Sequence, residues 1–164
     1  MNKRDQEFEQ LYHANYDQVM RLCLGYVSGD RDRAKDLAQE VFVKVWNSLS
    51  EFRNDSHIST WIYRIAVNTC LMGLRKKRPY ALKMEMESNP TIEDEGSAER
   101  KEIQFKEMYR CINTLSATNK AIILMELEGL AQKEIAAVMG MNHTAIRTRI
   151  HRIKTQLSKC VHHG

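Results

Sequence analysis

Apolar residues recur at helical spacing through most of this chain, and no run alternates as a strand would. Phe8, Leu11, Tyr12, Val19, Leu22, Cys23 and Tyr26 form one helical face. Ser28-Gly29-Asp30 ends that helix, and Asp30 suits the N-cap of the next. A second stripe, Leu37, Ala38, Val41, Phe42, Val45, Trp46 and Leu49, predicts a helix over about 31–49. Its opposite face carries Asp36, Gln39, Glu40 and Val43. A valine among polar groups suits a protein partner as well as a solvated face. Residues 50–57 are polar and turn-forming, and Ser56 or Ser59 can cap a third helix from Thr60 to about Lys77. That helix has Trp61, Ile62, Ile65, Ala66, Thr69, Cys70 and Leu74 on one side, and Pro79 stops it.

Residues 80–98 lose the period and contain Asn89-Pro90, Gly96 and the run Glu93-Asp94-Glu95, which predicts a flexible linker. Beyond it, Ile103, Met108, Cys111, Ile112 and Leu115 point a helix over 99–115 toward a core. Ser116 caps a helix over 119–128, with Ile122, Ile123, Met125 and Leu127 apolar. Gly129 fits a left-handed cap, Ala131 to Met139 a short helix, Gly140 a tight turn, and Asn142 the cap of a last helix. Ile146, Ile150, Ile153 and Leu157 are the buried stripe of that helix. The fold class is all-α: two small helical domains, 1–79 and 99–164, joined by the linker.

Charge is unevenly placed. Met1–Met72 holds nine basic and ten acidic residues, while Gly73–Lys83 holds five basic and no acidic ones. Met84–Glu99 holds six acidic and no basic residues, and Asn142–Gly164 five basic and no acidic ones. Two basic segments around an acidic one suggest two polyanion contacts. Arg75-Lys76-Lys77-Arg78 also suits a helix C-terminus through the macrodipole.

A short helix, a glycine turn and an acid-free second helix form a helix-turn-helix pattern. Its reading helix offers His143, Thr144, Ala145, Arg147 and Thr148 near the N-terminus, where base edges are met. Arginine can pair bidentately with guanine, and threonine or alanine can pack on a thymine methyl. Arg149, Arg152 and Lys154 lie further along, where phosphate contacts position the helix. Phe52, Trp61, Tyr63 and Arg64 place aromatics beside a cation, a composition suited to melted DNA, although Trp61 also suits a core.

The four cysteines, Cys23, Cys70, Cys111 and Cys160, show no paired motif spacing and read as reduced thiols, three in apolar stripes and one in a frayed tail. No metal or cofactor is called for. Without a signal peptide or a long apolar run, a cytoplasmic location is expected.

Two strings now matter. Asp-Leu-Ala-Gln-Glu-Val-Phe-Val-Lys-Val-Trp at 36–46 and the F-R-x-x-S-x-x-S-T-W-I-Y-R-I-A-x-N pattern at 52–68 resemble region 2 of extracytoplasmic-function (ECF) sigma factors of bacterial RNA polymerase. The pattern from Leu115 to Arg152, with its E-L-E-G-L, E-I-A and A-I-R-T-R-I-H-R strings, is similar to their region 4. This resemblance implies a sigma factor of regions 2 and 4 that binds core polymerase and directs initiation at −35 and −10 elements. It implies clamp docking of the largest subunit on Asp36, Gln39, Glu40 and Val43. It implies capture of a flipped −10 base by the loop holding Phe52, Arg53, Asn54 and Ser56. Trp61, Arg64, Asn68, Arg75 and Lys76 would follow the −10 DNA. His143, Thr144, Ala145, Arg147, Thr148, Arg149 and Arg152 would meet the −35 element. Region 4 would also touch the flap of the second-largest subunit.

The chain departs from the family pattern at Met72, where aspartate is common, and at Thr144-Ala145-Ile146-Arg147. The second variant is similar to members from Bacteroidetes, many of which pair with a membrane-bound anti-sigma factor. A stand-alone helix-turn-helix regulator explains the C-terminal half but leaves the Asp36 face idle. A non-DNA adaptor leaves the acid-free helix unexplained. No catalytic constellation or phosphate-cradling glycine loop supports an enzyme.

Overall fold

The computed structural model describes residues 2–54, 56–76 and 97–163. Among these residues the chain is helical, without strands. The N-terminal group is α1 (Lys3–Tyr26), α2 (Arg31–Ser48) and α3 (Ile58–Lys76), with a single 3-10 turn at Leu49–Glu51. The C-terminal group is α4 (Ser97–Asn113), α5 (Ala117–Leu127), α6 (Gln132–Met139) and α7 (His143–His163).

Local signals set the ends of these helices. Asn2 and Asp5 form a reciprocal capping box, which starts α1 five residues ahead of its apolar stripe. Asp30 accepts from the amides of Asp32 and Arg33, and Ser116 from that of Asn119. Gly140 closes α6 at φ 67°, a left-handed conformation that a Cβ disfavours.

Each group buries its stripe. Val19, Leu22, Cys23 and Tyr26 of α1 meet Ala34, Ala38, Val41 and Val45 of α2 and Ile62, Ala66 and Cys70 of α3. Phe8, Tyr12, Phe42 and Trp46 extend this core as edge-packed rings, with Phe8 and Trp46 centroids 5.2 Å apart. In the second group, Ile112, Ile122, Ile123, Met125, Ile135, Ile146, Ile150 and Ile153 are essentially inaccessible. Burying each such side chain contributes about 1.5–3 kcal/mol. The two groups share one contiguous core, because α3 packs on α6 and α1 on α5.

Four expectations change. Ile103 is 66% exposed instead of core-facing, because α7 covers only the later part of α4. Leu127, at the last turn of α5, is exposed as well. Cys111 and Cys160 are joined by a disulfide, which local spacing could not reveal across a sequence separation of 49. The packing of α4 on α7 brings their Cα atoms to 5.9 Å, and Cys160 lies within α7 and not in a frayed tail. Residues 97 and 98, assigned to the linker, belong to α4, and 80–96 lie outside the described residues.

Candidate functional site

Three surfaces carry the residues that the sequence singles out. On α2, Asp36, Gln39, Glu40 and Val43 share one exposed face, as their spacing requires. Val43 is 58% exposed, so its isopropyl group is an apolar point in a polar field. Glu40 pairs with Lys44 one turn away at 3.7 Å, an exposed contact of little energetic weight.

The second surface joins the loop after α2 to α3. Phe52 and Trp61 pack ring to ring with centroids 5.0 Å apart. Asn54 adopts φ 58°, a left-handed turn that asparagine tolerates. Arg53 and Asn54 are exposed and Ser56 is half-buried. Trp61 is half-buried against the core, so it is both a packing residue and the floor under Phe52. Arg64 and Asn68, one turn apart, face outward from α3. Thr69, one position on, is buried, donates to the Ile65 carbonyl and accepts from Lys44. The side chains of Arg75 and Lys76 lie outside the described residues.

The third surface is the helix-turn-helix. Asn142 accepts from the Ala145 amide at 2.7 Å and fixes the start of α7. With Ile146, Ile150 and Ile153 buried, Thr144, Arg147, Thr148, His151 and Arg152 are turned outward, and His143 and Ala145 are half-buried at the rim. Asn142, Thr144, Ala145, Thr148, Arg149 and Arg152 line an open concavity of about 450 Å³. A polar, acid-free helix beside such a hollow can follow a nucleic-acid groove. Thr144, Ala145, Thr148, Arg149 and Arg152 thus share one surface, while His143 and Arg147 do not line it.

Comparison with known proteins separates this arrangement from other helix-turn-helix chains. Residues 11–80 match the sigma-70 region 2 family and residues 105–157 the sigma-70 region 4 family. The chain is 34% identical over 177 residues to the ECF RNA polymerase sigma-E factor of Escherichia coli K12, covering 98% of this chain and 90% of that protein. The chain is an ECF sigma factor.

It is also 33% identical over 161 residues to the RNA polymerase sigma-H factor of Pseudomonas aeruginosa, covering 87% of this chain and 80% of that one. Its fold is similar to that of CnrH in complex with the cytosolic domain of CnrY (TM-score 0.69, 21% identity, 94% of this chain and 87% of that one). It is equally similar to the sigma factor RpoE in complex with the anti-sigma factor NepR from Bartonella quintana (TM-score 0.69, 21% identity, 95% and 97%). As an alternative sigma factor, the chain directs transcription initiation through core RNA polymerase and promoter DNA.

Sequence reasoning missed how regions 2 and 4 of this sigma factor meet. Lys120 of α5, buried between the two groups, donates to the Tyr26 carbonyl at the end of α1 at 2.9 Å and to Asn113 Oδ1 at 2.6 Å. Burial pushes its pKa down to about 8. Asn113 also donates to the Ser28 hydroxyl. Arg21 pairs with Glu128, a hydrogen bond that holds the guanidinium pKa above its usual value. Gly25 lies against Leu124, where a Cβ would overlap the leucine methyls. Arg64, a candidate −10 contact, donates to the Ala137 carbonyl of α6 at 2.7 Å. The only local hints are a glycine inside a helix and a lysine beside an apolar run.

No helix among the described residues is long and apolar enough to cross a membrane.

Proposed function

We propose a division of labour along this sigma factor. Residues 1–79 act as region 2. Asp36, Gln39, Glu40 and Val43 dock on the clamp of the largest polymerase subunit. Phe52, Arg53, Asn54 and Ser56 capture a flipped −10 base, and Trp61, Arg64, Asn68, Arg75 and Lys76 follow the adjoining DNA. Residues 99–164 act as region 4, with His143, Thr144, Ala145, Arg147, Thr148, Arg149 and Arg152 on the −35 element and a contact to the flap of the second-largest subunit. The segment between α3 and α4 connects the two.

One observation carries this reading. An exposed polar face with a single valine and a separate exposed basic helix occur on a chain that matches sigma-70 region 2 over residues 11–80 and region 4 over 105–157. The chain works in the cytoplasm, as a non-enzymatic factor, and is held in reserve by an anti-sigma factor; its structural neighbour RpoE is in complex with the anti-sigma factor NepR. The seam gives the reserve state a physical basis. While Arg64 is bonded to Ala137 and α3 packs on α6, one candidate −10 residue is engaged within the chain, whereas the outward face of α7 stays open.

The test mixes purified chain with core polymerase on promoter DNA. Binding to core and promoter-dependent initiation are expected. Asp36→Lys with Glu40→Lys should weaken core binding and leave duplex binding by α7 intact. A chain that binds duplex but not core would be a stand-alone regulator, and this reading would fall.

A further inference from the structure

Two cations of the reading helix are held by α5, in different ways. Lys154 is paired with the carboxylate of Glu126 at 3.1 Å. Arg149 donates from one guanidinium nitrogen to the amide oxygen of Asn119 at 3.3 Å. The first partner cancels charge and the second does not. A guanidinium has five N–H donors, and one bond to a neutral amide leaves the rest available.

Asn119 is well placed for this. It sits in the first turn of α5, where its own amide is fixed by the Ser116 hydroxyl. Helix α5 packs on α7, so the anchor and the anchored residue belong to one rigid pair. Asn119 and Arg149 are both half-buried, and Arg149 lines the concavity with Thr144, Thr148 and Arg152. The bond therefore restrains the guanidinium at the edge of the surface assigned to DNA.

We propose that Asn119 is a positioning residue for DNA binding: it holds Arg149 in place to meet a backbone phosphate while leaving its charge intact. This rests on the reading of α7 as the DNA-contacting helix. Restraint before binding lowers the entropy lost when a long side chain is immobilised on its target. Neutrality of the anchor preserves counterion release, which a carboxylate in the same place would suppress.

The test uses the full chain and a short fluorescein-labelled duplex of random sequence, with binding read by anisotropy over a range of salt concentrations. Asn119→Ala is expected to weaken binding roughly three- to ten-fold, the scale of one side chain's ordering entropy. The same change made on Arg149→Ala is expected to have no further effect. Asn119→Asp is expected to make the slope of log K against log salt shallower by about 0.9, the loss of one phosphate contact. Asn119→Ala should keep the wild-type slope, and thermal melts should show both variants folded. Additive losses in the Asn119–Arg149 cycle, or an unchanged slope for Asn119→Asp, would overturn the proposal. If the wild-type chain shows no salt-dependent duplex binding, the reading of α7 fails first and this inference falls with it.

Discussion

Arg64 of α3 and Ala137 of α6 are joined by a 2.7 Å hydrogen bond although 73 residues separate them in sequence. The bond engages one N–H donor of a candidate −10 contact with the backbone of the helix-turn-helix. If Arg64 meets the −10 element as proposed, the seam between regions 2 and 4 competes with promoter engagement.

Opening that seam should therefore ease engagement of the −10 element. Gly25 is the most sensitive point, because a Cβ there would press on Leu124. Overpacking of this kind costs about 1–3 kcal/mol. Gly25→Ala is expected to lengthen the distance between labels on the two regions and to tighten binding of the core complex to promoter DNA, with helicity unchanged. Arg21→Glu should act in the same direction but more weakly, because exposed ion pairs are worth only about 0.2–1 kcal/mol. Promoter affinity equal to the wild type in both variants, despite a measured opening, would show that the seam does not oppose promoter engagement.

Lys120 gives the seam a pH signature. Its folded pKa, about 8, is lower than the 10.5 of a free lysine. Below pH 8 both folded and unfolded chains hold the proton, and the burial penalty is fully present. Between about 8 and 10.5 the unfolded chain binds more protons than the folded one, so this group adds stability as pH rises, by at most about 1.4 kcal/mol per pH unit. Burial raises Tyr63 to about 12 and Tyr26 well above its usual range, and both oppose the trend once free tyrosine ionises near 10. Cys70, held well above its usual range by its hydrogen bond with Cys23 and by burial, opposes it earlier, so chemical denaturation from pH 7.5 to 9.5, roughly the window these values define, should show the wild type gaining stability relative to Lys120→Met. A flat difference between the two chains would remove Lys120 as its source.

Local chemistry explains what could be read early. The stripe Ile146, Ile150, Ile153, Leu157 dictates which face of α7 is buried, and hence that Arg147, Thr148 and Arg152 face out. Gly140 and Asn142 mark the turn because only their own backbone and side chain are needed to make it. Lys120, Gly25 and Arg64 were opaque for the opposite reason. Their roles depend on partners 94, 99 and 73 residues away, the separations of Lys120–Tyr26, Gly25–Leu124 and Arg64–Ala137. Ile103 misled because periodicity tells which side of a helix is apolar and not how far its neighbour extends.

The bond between Cys111 and Cys160 ties α4 to the end of α7 across a separation of 49 residues. By loop-closure entropy, such a cross-link destabilises the unfolded chain by about 4 kcal/mol. Reduction is expected to lower Tm by on the order of 10 °C. Cys111→Ser should reproduce that loss and abolish the response to reductant. Cys23 and Cys70, buried thiols 3.9 Å apart in region 2, should contribute nothing to the response. Mass spectrometry after alkylation of the unfolded, unreduced chain should find two free thiols and not four. Four would remove the cross-link from the stability of the native protein.

Along α7, reading and anchoring should separate by position. Arg147 is exposed within the first two turns, beside Thr144 and Thr148, and no acid lies on the helix to compete for it. A bidentate contact from this position to a guanine is worth about 1–3 kcal/mol against another base. Arg147→Ala is therefore expected to weaken binding to the preferred −35 sequence and to leave binding to unrelated duplex nearly unchanged. Arg152 lies more than one turn further along α7 and lines the concavity, where backbone contacts are expected. Arg152→Ala should weaken every sequence alike and reduce the salt slope by about 0.9. Selection from a randomised duplex pool, repeated with each variant, reads both effects. The first variant should relax one base position and the second none. If both variants shift the selected sequence equally, α7 is docked in a different register from the one its N-terminal cap and buried stripe imply.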